Sequence, residues 1–329
     1  MTARPASTMH RRTLLLAAPA LALPCAARAQ DNWPTRPIRV INPWTPGGPA
    51  DLVARPILAK MSEALGQPMV LENRPGANGT IGAEYVARTT PDGHTLLFSQ
   101  AGPNALAPST NPRLSYDPIR DFTPITRLVS APLVLFVRSD SPIRSLGDLI
   151  AAARARPGAL TYGSVGPGST THLAAEMIAQ MANVQMLHVP FQGAAPVATE
   201  VLAGRLDFAF LNVSGVTGHI QGGRVRGLAV TTLTPSGALP DLPTMDATLR
   251  GFEVNSWYGL MGPAQLPQPI VDRLYREAVA ALRAPDVDRF LRQNGLEPDG
   301  SSPQRYAEQL RADIERWTTL ARRAGLRQD

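Results

Sequence analysis

Gly163-Ser164-Val165-Gly166-Pro167-Gly168-Ser169-Thr170 and, far upstream, Pro43-Trp44-Thr45-Pro46-Gly47-Gly48 are two glycine-rich turns in the same local setting. Each follows a short apolar run of strand type, residues 160–162 and 38–41, and each leads straight into a helix-like pattern. A strand, a glycine turn and a helix start together aim backbone N–H groups, and the positive end of a helix dipole, at one spot. That geometry binds an anion without a charged side chain. Two such turns in one chain imply two lobes holding one small anionic ligand between them.

Outward from the turns, strand and helix patterns alternate, as in an α/β fold with largely parallel sheets. Val53, Ile57, Met61 and Leu65 recur four apart and mark a helix over residues 51–65. Strands are read at 69–71 and 95–98, with a short helix through 83–87 between them. The apolar run 128–137, interrupted by Pro132, reads as a strand leaving the first lobe. The second lobe repeats the alternation, with helices over 145–154, through Leu173 to Met181, and from Ala195 to the stop at Gly204. Its strands are read at 160–162, 184–189, Leu206 to Phe210, and 225–231. Residues 252–261 look like the return crossing, and helices over 267–282, 286–294 and 303–324 close the chain. The last presents Tyr306, Leu310, Ile314 and Trp317 on one face, which is expected to pack back on the first lobe.

Residues 1–29 read as an export signal. Arg11-Arg12 open a basic region, a short apolar stretch follows, and Ala27-Arg28-Ala29 forms an A-x-A cleavage site. The stretch is too short to span a bilayer. Arg11-Arg12 suits a twin-arginine signal or the basic region of a general secretory one, and Cys25 only faintly resembles a lipidation box. Removal of the signal takes Arg4, Arg11, Arg12 and Arg28 with it, and the net charge falls from +6 to +2. The sole cysteine leaves too, so the mature chain has no disulfide and stands on its core. No basic run with interleaved aromatics argues for nucleic acid. The expected location is the periplasm.

Several chemistries are excluded by spacing. Gly163-Ser164-Val165-Gly166 is not a nucleophile elbow. His94, His172, His188 and His219 have no metal-ligand spacing, so no metal is expected. Gly166-x-Gly168 lacks the third glycine of a dinucleotide fingerprint, Thr171 standing there, and Lys60, the only lysine, makes no P-loop. No cofactor and no catalysis are expected; binding remains. Gly47 and Gly48 allow close backbone approach, and Asp51 either caps the helix or touches ligand. Trp44 is a pocket wall or ordinary core, and as a wall it would favour planar carboxylates. Ser164, Ser169 and Thr170 offer hydroxyls beside Gly166 and Gly168. Pro49, Ala50, Ser99, Gln100, Gly193 and Asn212 complete the expected ligand-binding set. His172 faces the cleft or the lobe interior, the interior being preferred.

Several blocks, in this order, resemble the tripartite tricarboxylate transporter substrate-binding family, the Bug-type extracytoplasmic solute receptors. They are Trp33-Pro34-x-Arg36-Pro37-Ile38-Arg39, Pro46-Gly47-Gly48-x-x-Asp51-x-x-Ala54-Arg55 and Glu72-Asn73-Arg74-Pro75-Gly76-Ala77. Pro91-Asp92-Gly93-His94-Thr95-Leu96-Leu97, Tyr162-Gly163-Ser164, His172-Leu173-Ala174 and His188-Val189-Pro190-Phe191-x-Gly193-x-Ala195-Pro196 follow. Leu239-Pro240-Asp241-Leu242-Pro243-Thr244 and Arg316-Trp317 end the series. The resemblance implies a type II periplasmic-binding-protein fold, two lobes joined by two crossing strands with a ligand cleft between them. The lobes would be residues 30–130 plus 257–329, and 131–256. It implies a monomeric receptor that captures a small carboxylate and delivers it to integral membrane permease subunits. A periplasmic sensor feeding a signalling partner would share the same pocket and fold. The chain departs from the family pattern in Trp44, where relatives usually carry Phe, and in Pro49-Ala50, where many carry Ser or Thr. Pro56, inside the first helix, is expected to delay or bend it.

Overall fold

In the computed structural model the chain divides into Met1–Trp33 and Pro34–Asp329; residues 1–3, 33–191 and 193–323 are described. The export signal from Arg4 to its A-x-A end, with Arg11, Arg12 and Cys25, lies outside the described residues, as does Ala324. The architecture concerns Pro34 onward.

Short apolar strands alternating with amphipathic helices give β1 (Ile38–Asn42), α1 (Pro49–Leu65), β2 (Met69–Asn73), α2 (Thr80–Ala87) and β3 (Thr95–Gln100). The three strands are parallel with β1 central, Ile38 beside Met69 and Val40 beside Leu96. Their carboxyl ends therefore lie along one edge, with Asn42 paired to Asn73. A π-helical turn at Gly102–Leu106 runs into α3 (Ala107–Thr110), and then into β4 (Phe122–Arg138).

The second half repeats the plan with α4 (Leu146–Ala155), β5 (Thr161–Ser164), α5 (Thr170–Ala182), β6 (Leu187–Pro190), α6 (Ala194–Leu202), β7 (Phe208–Asn212), α7 (Val213–Gln221) and β8 (Val225–Val230). β5 is parallel to both β6 and β7. The chain returns through β9 (Asn255–Pro263), α8 (Gln268–Arg283), α9 (Pro285–Gln293), the short β10 (Glu297–Pro298) and α10 (Pro303–Arg323).

β4 joins the two sheets. From Phe122 to Pro132 it pairs antiparallel with β9, and from Leu133 onward with β7 and β8. Pro132, which has no N–H to give a ladder, stands where the strand changes partners. The return runs beside it, Thr231 Oγ1 accepting from the Leu133 amide at 3.0 Å and the Val254 amide donating to Thr231 O. Because these strands carry the chain back, the whole sheet is mixed rather than largely parallel.

α1 starts at Pro49, not late, and Pro56 lies inside it. An interior proline costs up to ~3 kcal/mol. Burial of Val53, Ile57, Met61 and Leu65 on the opposite face offsets that, each worth roughly 1.5–3 kcal/mol. Gly66, in the left-handed region at φ 68°, ends the helix by donating to Ser62 O. α10 buries Tyr306, Leu310 and Trp317 against β4, α3 and the π-turn, as its sequence face predicts. The main core runs without a break from Ile41 and Leu97 through Leu133 and Leu135 to Tyr162, Leu173 and Phe208. Among the described residues no helix is long and apolar enough to cross a membrane.

Candidate functional site

The first glycine turn is organised by a buried amide network at the ends of β1, β2 and β3. Asp51, in the first turn of α1, is 3% exposed, and both carboxylate oxygens are engaged. Oδ1 accepts from Asn42 Nδ2 at 2.7 Å and Asn73 Nδ2 at 3.0 Å. Oδ2 accepts from the Gly47 amide at 3.1 Å and Arg55 at 3.0 Å. Burial alone would raise this carboxyl, but the hydrogen bonds from Asn73, Gly47, Arg55 and Asn42 outweigh it and hold it below its ordinary value. Asn73 also donates to Trp44 O at 2.9 Å, and Gln100 Nε2 to Asn42 Oδ1 at 3.1 Å. Asp51 and Gln100 thus shape the turn from behind.

Gly48 caps α1, its carbonyl accepting from Asp51 and Leu52. Gly47 needs its glycine, with φ at +79°. Pro49 is exposed and Ala50 buried. Trp44 is half-buried, with Cζ2 3.5 Å from the place a Gly102 side chain would occupy. Its indole Nε1 is buried and meets no acceptor. Ser99 faces the other way, fully buried and hydrogen-bonded to Tyr306 OH of α10 at 2.8 Å.

The second turn is held just as tightly. The Val165 amide donates to Thr171 Oγ1, Gly166 to Ser164 Oγ, Gly168 to His172 Nδ1 and Ser169 to Gly166 O. Ser169 caps α5, accepting from the His172 amide and donating to Gly166 O. The loop amides that looked free in the sequence are therefore largely spent on the turn's own shape. Ala50, Thr170 and Thr171 lie in the first turns of α1 and α5, where the first four N–H groups of a helix have no partner within it. The dipoles of α1 and α5 add positive potential there.

Ser164 is fully buried and its Oγ lies 2.6 Å from His188 Nε2. That is a nucleophile–base distance, but the pair is ill suited to catalysis. Burial, aided by neighbouring His172, pushes His188 down to about 4, which makes it a weak base. His172 packs inside the lobe, and Gly193 and Asn212 cap α6 and α7 after the two strands that flank β5.

The two turns meet through residues the sequence reading passed over. Asn78, in the left-handed region at φ 57°, donates Nδ2 to Pro167 O at 3.4 Å. Thr110 Oγ1 lies 3.7 Å from the place a Gly168 side chain would take. Asn42 and Asn73 carried a usable signal, since an apolar strand that ends in an amide places that amide beside the following turn. Among the described residues no cluster of His, Cys, Asp or Glu is built to hold a metal.

Residues 53–326 match the tripartite tricarboxylate transporter family receptor profile. A protein from Pseudomonas sp. (strain P51), described as a UPF0065 protein in the tcbD-tcbE intergenic region, is 40% identical over 94% of this chain and 93% of its own. An R. palustris protein solved with adipate superposes with a TM-score of 0.82, 37% identical, covering 89% of this chain and 98% of that one. The periplasmic binding protein BugD gives 0.80 at 33% identity, covering 90% of this chain and all of its own. The two-lobe type II fold is that of these binding proteins, and the chain belongs to the tripartite tricarboxylate transporter receptor family.

Proposed function

We propose that the protein is an exported, monomeric receptor that captures a small carboxylate between two lobes, residues 30–130 plus 257–329 and residues 131–256. It then passes the ligand to membrane permease subunits of a tripartite transporter. The observation that carries the reading is the pair of glycine turns, each ahead of a long helix, joined through Asn78 and Pro167. Helix N-termini and fixed amides hold a carboxylate without a cationic side chain. Arg55, beside the first turn, is already paired with Asp51. The adipate bound by the R. palustris protein supports the ligand class. The engaged, weakly basic Ser164–His188 pair supports a binding role over a catalytic one.

Titration calorimetry of the purified protein with adipate, shorter dicarboxylates, tricarboxylates and aromatic acids tests the reading. Selective binding of a carboxylate, with saturation at a hundredfold excess over Kd adding ~2.7 kcal/mol of stability, is the expected result. Binding of amino acids or sugars in preference to every carboxylate, by protein first stripped of ligand, would overturn it.

A further inference from the structure

Behind the second glycine turn, two histidines lie face to face. The rings of His172 on α5 and His188 on β6 are 3.9 Å apart and 14° from parallel. Tyr162 on β5 stacks on His188 at 5.0 Å, and Phe208 on β7 backs Tyr162 at 5.6 Å. Neither histidine is explained by packing alone, because each ring also holds one side of the turn. The Gly168 amide donates to His172 Nδ1 at 3.0 Å, and His188 Nε2 meets Ser164 Oγ.

A backbone amide can only donate. His172 Nδ1 is therefore the bare nitrogen, and the ring is neutral with its proton on Nε2. That proton faces Glu176 Oε1 at 3.8 Å, a carboxylate that already accepts from Tyr162 OH. Glu176 and Tyr162 are the ionisable groups beside the pair. Neither β7, which offers Phe208, nor α10, which packs on α5, adds a charge that acts on either ring among the described residues.

We propose that His172 and His188 form a proton-sensitive latch for the second turn, in which neutral His172 holds the Gly168 amide and proton uptake frees the turn and its ligand. The inference rests on the carboxylate-receptor reading. A proton added to His172 can go only to Nδ1. There it converts the acceptor into a second donor facing the Gly168 N–H, and the bond is lost. The resulting cation also lies against His188, so the pair takes one proton more readily than two. Burial holds both rings down to about 4, which keeps the latch shut at neutral pH. Gly168, with φ at +70°, sits beside Thr110 of the first lobe, so a shift there reaches the contact between lobes.

The first test needs no ligand. In protein labelled with 15N and purified from cells expressing the full chain, the His172 ring and the Gly168 amide are followed by NMR as pH is lowered. The expected result is a neutral ring with bare Nδ1 at neutral pH, and a Gly168 resonance that titrates in step with it. In His172→Gln, whose side-chain oxygen accepts but takes no proton, Gly168 should stay fixed. A Gly168 resonance that ignores His172 protonation, or a proton on Nδ1 at neutral pH, overturns the latch. Should the variant fail to fold, the wild-type resonances decide alone.

The second test measures adipate affinity in both proteins across the same range, where the ligand's own titration cancels in the ratio. The wild type should lose roughly tenfold relative to His172→Gln once His172 is protonated, as expected for one buried amide left without its acceptor. A constant ratio overturns the link to ligand release. Wild type that ignores adipate at neutral pH counts against adipate as ligand, and the resonances then decide the latch.

Discussion

Gly48 and Asp51 divide the first turn between them, the glycine in front and the carboxylate behind. Gly48 has an ordinary extended backbone, and a side chain there would meet only Thr45 O at 3.6 Å. The fold accepts a substitution, while the space ahead of α1 does not. Gly48→Leu should therefore keep its unfolding midpoint within about 0.5 kcal/mol, yet weaken carboxylate binding by roughly tenfold or more. Calorimetry beside a urea melt separates the two, and undiminished affinity would rule out the turn as a ligand wall. Asp51→Ala should do the reverse. It strands the amides of Asn42 and Asn73 behind the turn and frees the part-buried Gly47 N–H, at a cost on the order of 3 kcal/mol seen in the same melt. With its carboxyl held below the ordinary value, the native charge contributes fully above that value and is lost as pH falls through the lowered one. Wild-type stability should thus fall more steeply in acid than that of Asp51→Ala. Sequence left Asp51 open between cap and ligand contact because both roles ask for a carboxylate at a helix start. Asn42 and Asn73, distant in sequence and paired only once β1 and β2 align, settle its partners.

At the scale of elements, local pattern gave most helices and strands, because each needs only its own apolar period. α1 and α10 are clear cases, with buried faces at Val53, Ile57, Met61 and Leu65, and at Tyr306, Leu310 and Trp317. The misses share a cause. β4 starts at Phe122, six residues before the run read from residue 128, since its amino end is fixed by β9 across the sheet rather than by its own alternation. The stretch from Gly102 to Thr110 is mostly small residues and prolines, and coils into a helical bridge because Tyr116 OH and α10 hold it. The late start expected from Pro56 failed for the opposite reason, a strong local breaker overruled by tertiary burial. Pro56→Ala should restore the missing bond to Leu52 O and raise stability by about 1–3 kcal/mol. A lower urea midpoint in that variant would show instead that the proline suits a bend the core requires.

Across the whole molecule, the main core and one shared strand run through both sheets, which should make them unfold as a single body. Leu133 and Leu135 of β4 sit in the same apolar cluster as Ile41 on one side and Phe208 on the other. The tryptophans offer an internal check. They stand at 33, 44, 257 and 317, and the second half of the fold from α4 to β8 has none. Trp257 and Trp317 are buried with α10, so fluorescence follows the first lobe, while far-ultraviolet dichroism follows both. In urea the two signals should give one coincident transition, as a shared core demands. A bound carboxylate sharpens the question, because a ligand held by both turns must stabilise both lobes alike. At a hundredfold excess over Kd both midpoints should rise together, by the same ~2.7 kcal/mol. A fluorescence midpoint that rises while dichroism splits into two steps would place the ligand on the first lobe alone. The turn at Gly166 and Gly168 would then be architecture rather than half of a clamp.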